Sequence, residues 1–191
     1  MQRLLEAAIE VIDQRGEAGL KVDEIAEMAG ITKPPLYHYF GDREGLVIAA
    51  QAERFRRSLR HGLDAGLQLA RACTHRGEFE ILIQGALTHF ADPAAVERRR
   101  VRIDVLGSAV SRPALLAEVN GVLTDAANEL AELVDIGRAR GWVTAGFSSA
   151  SLAMWWYGAL LGRYHVETND DFDAAEWDAI MVESLHHLMF G

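Results

Sequence analysis

The sequence predicts an all-α fold, and three observations carry that expectation. Apolar residues recur at i, i+3, i+4 and i+7 in nearly every segment, the period of a helix with one buried face. The 4 prolines and most of the 17 glycines fall between those segments or at their starts, as in helices joined by short loops. No stretch alternates apolar and polar residues with the period of a strand. Half of the 191 residues are hydrophobic and a quarter are charged, the mix of a globular protein with a sizeable core.

Taken in order, Leu5, Ala8, Ile9 and Ile12 mark the buried side of a first helix over 4–15, ended by Gly16 and Gly19. A short helix follows from Val22 to Ala29, with Asp23 and Glu24 in its first turn, where the helix dipole favours anions. Gly30 is placed as a left-handed residue just past its end. Thr32 is an N-cap for a third helix, with Pro34 and Pro35 in the first turn, where N–H groups lack intrahelical partners. In that helix Leu36 and Phe40, with Tyr39 beside them, face inward. Lys33 and Tyr37 share the outer face, next to Pro34 and His38. Gly41-Asp42-Arg43 breaks the pattern.

A long helix is expected from Glu44 towards Leu69, with Leu46, Val47, Ala50 and Phe55 packing and Arg54, Arg56, Arg57 and Arg60 in solvent; Gly62 and Gly66 interrupt it. Further helices follow over 78–91, from Asp92-Pro93 to Gly107, and from Pro113 through Val119 to Arg140. The last two run from a Ser148 or Ser149 cap through Leu152 to His165, and from Asp173 or Ala174 to Phe190.

The net charge is -9, but it is unevenly spread. Residues 1–62 hold 9 Lys+Arg against 10 Asp+Glu, and the remainder hold 10 against 18. The acidity belongs to the C-terminal part, which leaves a local cationic face possible near the N-terminus. A single cysteine, Cys73, excludes an intrachain disulfide and is read as an inert thiol in a reducing compartment. With no secretory leader pattern and no apolar run long enough to span a bilayer, the expected location is the cytoplasm, away from membranes.

The segment from Val22 to Phe40 is the one with chemistry in it. Two short helices joined by a tight Gly turn form a helix-turn-helix, whose second helix can enter the major groove with its N-terminal residues nearest the bases. Spacing alone leaves DNA binding and plain core packing both open. The strings LLEAAIEVIDQRG and LKVDEIAEMAGITKPPLYHYFGDREGL narrow the choice. Ile25-Ala26, Ala29-Gly30-Ile31, Leu36-Tyr37-His38-Tyr39-Phe40 and Glu44-Gly45-Leu46 resemble the DNA-binding domain of the tetracycline-repressor (TetR) family of bacterial transcription regulators.

That resemblance covers the first third of the chain. It implies a DNA-binding head over 1–45, a ligand-binding and dimerisation domain over 46–191, and a linking helix from Glu44. It implies a homodimer joined by the last two helices, a double-stranded operator of near-palindromic sequence and a small-molecule effector that releases a repressor. The residues carried over to base or backbone contacts are Lys33, Pro34, Pro35, Tyr37 and His38, with Thr32, Tyr39 and Arg43 on phosphate and Lys21 at the edge. Three features depart from the family pattern. Val22 and Asp23 stand where polar or basic residues often touch DNA, Pro34-Pro35 removes two phosphate-binding N–H groups, and the N-terminal arm carries only Arg3. They favour an alternative, a helical dimeric small-molecule-binding or interaction protein with weak or lost DNA binding.

In the C-terminal part, Phe79, Ile83, Leu87, Phe90, Ile103 and Leu106 are explained by helical spacing as core, and as candidate ligand lining otherwise. The run Arg98-Arg99-Arg100-Arg102 reads first as a solvated face, and alternatively as an anion-sensing segment with Arg102 and Asp104 turned inward. Met154-Trp155-Trp156-Tyr157 reads as core or dimer packing, with Trp155 the member offered to a ligand. Trp156, Leu160, Trp177, Met181, Leu185 and Leu188 are the candidate dimer contacts on the last two helices. The histidines lack metal-ligand spacing, there is no nucleophile elbow or phosphate loop, and neither a cofactor nor an enzymatic activity is expected.

Overall fold

The computed structural model describes residues 1–59, 63–91, 95–144 and 146–191, with the side chains of 63–64 and 87–91 outside that description. Among the described residues there are ten α-helices and no strand. They are α1 Gln2–Arg15, α2 Val22–Met28, α3 Lys33–Phe40, α4 Arg43–Leu59, α5 Leu63–Ala72, α6 Arg76–Ala91, α7 Val96–Ala109, α8 Pro113–Ala139, α9 Ser149–Val166 and α10 Ala174–Phe190. A single 3-10 turn over Glu17–Gly19 separates α1 from α2. None of the described helices is long and apolar enough to cross a membrane.

The chain divides into two compact units. Unit 1 holds residues 1–57 and 104–122, and unit 2 holds 58–103 and 123–191. The boundary falls inside α4, α7 and α8, each of which starts in one unit and ends in the other. Residue 45, the boundary expected from the sequence, lies inside α4, whose first fifteen residues belong to unit 1.

The core of unit 1 is built largely by the predicted faces, although on α1 Leu4 and Val11 join Ala8, Ile9 and Ile12 inside while Leu5 is only partly buried. Leu4, Ala8, Val11 and Ile12 of α1 meet Ile25 of α2, Leu36 of α3 and Leu46, Val47 and Ala50 of α4, all essentially removed from solvent. Helix α2 stops in a Schellman motif: Gly30 is left-handed (φ 65°), its N–H bonds Glu27 O, and the Ile31 N–H reaches back to Ala26 O, both at 3.0 Å. Asp42 caps α4, its Oδ1 accepting from the Gly45 N–H at 2.8 Å, a role the sequence reading had assigned only to a break. Gly45 is obligatory there, because a Cβ would stand 1.9 Å from the Phe40 carbonyl oxygen.

Unit 2 packs Leu67 and Ala70 of α5, Phe79 and Ile83 of α6, Leu133 and Val134 of α8, Leu152, Trp156 and Leu160 of α9, and Met181, Leu185, Met189 and Phe190 of α10. Ser148 caps α9 and Asp173 caps α10, each accepting the backbone N–H three residues on.

Several expectations change. The long helix from residue 44 is two helices, α4 ending at Leu59 and α5 opening at Leu63, while Gly66 sits inside α5. The Asp92-Pro93 start, Arg60 and Gly62 lie outside the described residues. Arg54 is buried rather than solvated, because its guanidinium bridges Asp13 of α1 (2.8 Å) and Asp104 of α7 (2.7 Å) inside unit 1. Arg99 and Arg102 are also buried, so the arginine run is not a solvated face; Arg100 alone of these three is exposed, paired with Glu97. Asp104 stays on the outside. Val96 is exposed, and the buried apolar positions of α7 near its C-terminal end are Val105 and Ala109, which an apolar count centred on Ile103 and Leu106 passes over.

Candidate nucleic-acid interface

Helix α3 presents its candidate groups because Leu36 anchors the opposite side. Leu36 is fully buried, and the helical period then turns Lys33, Tyr37 and His38 away from the core. Tyr37 is 47% exposed and Tyr39 is 53% exposed, so Tyr39 does not face inward as its neighbours suggested. His38 packs edge-on to Tyr39, with centroids 5.3 Å apart. Two phenols and an imidazole on one short helix offer hydroxyl donors and flat faces of the kind that position a protein on sugar and phosphate.

The start of α3 has a consequence that follows from its two prolines. An N-cap side chain bonds the N–H of the second or third helical residue. Here those residues are Pro34 and Pro35, which have no N–H. Thr32 occupies the N-cap position with extended backbone, yet its hydroxyl makes no capping hydrogen bond. The expected cap is therefore present in backbone only, and the exposed Thr32 hydroxyl faces outward beside Lys33. The same prolines leave the helix N-terminus a poor backbone cradle for an anion.

The cations are partly engaged. Lys33 Nζ lies 2.5 Å from Asp23 Oδ1, an exposed ion pair between α3 and α2. The hydrogen bond and charge of Asp23 raise the Lys33 pKa above its ordinary value, so the ammonium stays charged. Arg43 is half-buried and donates from Nε to Leu20 O (2.9 Å) and from Nη2 to Glu17 O (2.5 Å). It ties the 3-10 turn to the start of α4, rather than projecting as the flanking phosphate clamp expected from sequence. Lys21 is exposed at the N-cap of α2. Lys21, Thr32, Lys33, Pro34, Tyr37, His38 and Tyr39 are thus on the outside of unit 1, with Pro35 and Arg43 partly covered.

The sequence reading missed the group that organises the back of this head. Glu17 sits in the turn after α1 and accepts hydrogen bonds from Gln51 Nε2 of α4, Ser108 Oγ of α7 and Arg112 Nη1, each at 2.5 Å. Arg112 also pairs with Glu44 at 2.9 Å. Burial pushes the Glu17 carboxyl up, but hydrogen bonds from Ser108, Gln51 and Arg112 and the charge of Arg112 outweigh it and hold the pKa below the ordinary value. Nothing local to residues 16–20 signals this, since every partner is more than thirty positions away.

In unit 2 the candidate ligand residues separate. Phe79 and Ile83 are enclosed in the core, with the Phe79 ring against Trp142 (5.7 Å) and Phe190 (6.3 Å). Leu87 and Phe90 lie outside the described residues. Ile103 is half-buried in unit 2, whereas Leu106 belongs to unit 1. Arg102 is 5% exposed. The adjacent tryptophans of α9 point oppositely: Trp156 is in the core, while Trp155 is 43% exposed and not turned inward. Of the six candidate dimer residues, Trp156, Leu160, Met181 and Leu185 fill the protomer's own core, which corrects their assignment as surface contacts; Trp177 and Leu188 are partly buried against it. The large apolar groups that α9 and α10 leave in solvent are Met154, Trp155, Val166 and Ile180. No cluster of three or more His, Cys, Asp or Glu able to hold a metal occurs among the described residues. Cys73 is half-buried, with Sγ donating to Leu69 O at 3.3 Å.

Comparison with known proteins places this head. Residues 4–50 match the family model for bacterial regulatory proteins of the tetR family. The HTH-type transcriptional regulator BetI of Brucella melitensis is 32% identical over 90 residues, which cover 47% of this chain and 45% of that protein; the match thus spans under half of the relative. Across the full length, the fold is shared with a putative TetR-family regulator from Mesorhizobium loti (TM-score 0.73, 19% identity, 100% of this chain and 96% of that one). It is shared too with the transcriptional regulator FadR of Bacillus subtilis in complex with stearoyl-CoA (TM-score 0.61, 19% identity, 96% of each chain). Residues 4–50, which hold the motif of α2 and α3, are thus similar to the tetR family of bacterial regulatory proteins, and the helical fold through the rest is similar to that of the solved regulators.

Proposed function

We propose that this protein is a ligand-responsive transcriptional repressor that binds a near-palindromic operator as a homodimer and is released by a small molecule. The observation that carries this reading is the outer face of α3, where Thr32, Lys33, Tyr37, His38 and Tyr39 stand exposed on a helix anchored by Leu36. Tyr37 is its central contact, with Thr32 and Lys33 at the end that enters the groove and Lys21 on the neighbouring backbone. Pro34 and Pro35 shape that end by apolar contact and by leaving the Thr32 hydroxyl to the DNA.

A homodimer suits the solvent-facing sides of α9 and α10, which carry Met154, Trp155 and Ile180 with Gly158 and Gly162 between; a Cβ on either glycine would meet nothing within 4 Å. Apolar side chains beside a flat glycine surface favour close approach of a second helix. Two heads then read half-sites about one DNA turn apart. The effector reading for unit 2 is in keeping with FadR, which is seen with stearoyl-CoA. By linkage, an effector that fits the non-binding state better weakens DNA binding, and DNA weakens its binding equally.

The test is a fluorescence-anisotropy titration against duplex from upstream of the protein's own gene. Tyr37→Ala is expected to weaken binding by about tenfold or more, the loss of one central contact, with an unchanged melting temperature. Equal affinities would remove α3 from the interface.

A second reading is a helical dimeric small-molecule-binding protein with weak or lost DNA binding. The Lys33–Asp23 pair and the tethered Arg43 favour it, since they withdraw cations from the exposed face. Absence of binding to any fragment of that upstream region, with the dimer intact, decides for it.

A further inference from the structure

Helix α7 carries a buried charge that nothing in the DNA-reading scheme uses. Arg102 is almost wholly removed from solvent, on the part of α7 that belongs to unit 2. Its Nη2 donates to the Ser58 carbonyl oxygen at 2.5 Å and its Nε lies 3.4 Å from Ser58 Oγ. These are neutral acceptors, and among the described residues no carboxylate pairs with it. The two other buried arginines of the unit are neutralised. Arg99 meets Glu167 at 2.8 Å, and Arg163 meets Glu167 and, at 2.8 Å, Asp178.

A guanidinium has five N–H donors, and Arg102 directs two of them at Ser58. Burial lowers its pKa to about 10, with Arg98 and Arg99 adding to the effect, so it remains protonated at neutral pH. The charge is therefore held in the interior against a large desolvation penalty with no counter-ion among the described residues. The Tyr157 phenol of α9 is close enough to sense that charge. It is itself buried, its Oη donates to Ala126 O at 3.3 Å, and burial pushes its pKa up to about 12. It stays a protonated donor.

Resting on the effector reading above, we infer that unit 2 takes a small monocarboxylate, with its carboxylate on the Arg102 guanidinium. One uncompensated cation matches one negative charge. A planar fork matches the two oxygens of a carboxylate, and the pairing is strongest where water is excluded. A phosphate dianion would leave a charge unmatched, because the neighbouring Arg99 is already engaged by Glu167. An amine or other cation would be repelled by the Arg102 guanidinium.

The experiment uses the full chain and straight-chain carboxylates from butyrate to palmitate, with the alcohols and amines of the same lengths as probes. Binding is followed by thermal shift and titration calorimetry. The expected result is that at least one carboxylate binds about tenfold or more tighter than its alcohol, and that the amine does not bind. Arg102→Met is expected to fold, since an apolar side chain replaces an uncompensated charge, and to abolish the preference; Arg102→Lys, which keeps the charge, is expected to retain part of it. Carboxylate and alcohol binding equally, preference surviving in Arg102→Met, or no carboxylate shifting the melting temperature would each overturn the assignment. Operator binding measured on the same samples separates the two readings. An alcohol that releases DNA as well as the acid does sinks the carboxylate and leaves the effector. A carboxylate preference in a protein that binds no DNA keeps the site and sinks the repressor.

Discussion

Thr32 is the residue at which local sequence chemistry meets the proposed DNA contact. Removing a working N-cap hydroxyl costs a helix about 1 kcal/mol. Here Pro34 and Pro35 have taken away both N–H groups that such a hydroxyl bonds, so Thr32→Ala should change stability by less than about 0.5 kcal/mol. Its effect should appear in operator affinity instead. A melting temperature that falls by several degrees in the variant would return Thr32 to an ordinary cap. Asp23 poses the matching question for Lys33. A phosphate must displace Asp23 from the Lys33 ammonium. Asp23→Asn should therefore raise nonspecific DNA affinity and steepen its salt dependence by about one charge. Lys33→Ala should flatten it by a similar amount. Anisotropy titrations across a salt series read both, and parallel slopes for Asp23→Asn and the parent protein would separate Lys33 from the phosphate backbone.

At the scale of elements, the turn after α1 is held to two helices, α4 and α7, and to the α7–α8 connection through one carboxylate. Glu17 gathers Gln51 of α4, Ser108 of α7 and Arg112, and Arg112 goes on to Glu44 at the start of α4. The sign of the pH effect follows from its pKa. Because the folded state holds the carboxyl below its ordinary value, the stability it contributes is fully present above the unfolded value of about 4.3. It is lost as pH falls through the lower, folded value. Below about pH 4.3 the melting temperature of the parent protein should therefore drop more steeply than that of Glu17→Gln, whose side chain does not titrate. Parallel profiles would mean that the cluster contributes nothing to unit 1. Helix α7 shows the same division of labour along its length: Arg99 is matched by Glu167, Asp104 by Arg54, and Arg102 between them has no such acid among the described residues.

For the whole molecule, the proposed dimer depends on what α9 and α10 leave uncovered. Ile180 is 59% exposed, and with Met154 and Trp155 it gives unit 2 an apolar outer side that water alone does not favour. Ile180→Glu places a charge there and should shift sedimentation towards the monomer at micromolar concentration, with helix content unchanged. Operator affinity should fall with it, since a single head engages only one half-site. A variant that sediments like its parent would move the interface to another surface.

The head was legible in the sequence because its determinants are local. The period of α1, the left-handed Gly30, the double proline and the Leu36–Phe40 spacing each act within a turn or two of the chain. They place α3, and with it Lys33, Tyr37 and His38, before any packing is known. The faces of unit 2 were not legible. Helices α9 and α10 are apolar nearly all round, so no polar stripe marks which side is core; only packing put Trp156 inside and left Trp155 out. Charge was equally mute. Arg54, Arg99 and Arg102 look like surface residues by type, and whether a guanidinium is buried depends on acceptors that α1, α7 and α9 bring from distant positions. Sequence by itself determined the helical fold, most of its elements and the exposed face of α3, because those signals repeat within a turn or two of the chain. Tertiary structure decided where α4 ends, which cations are satisfied, which tryptophan faces outward, and that Arg102 lies buried with no acid paired to it among the described residues.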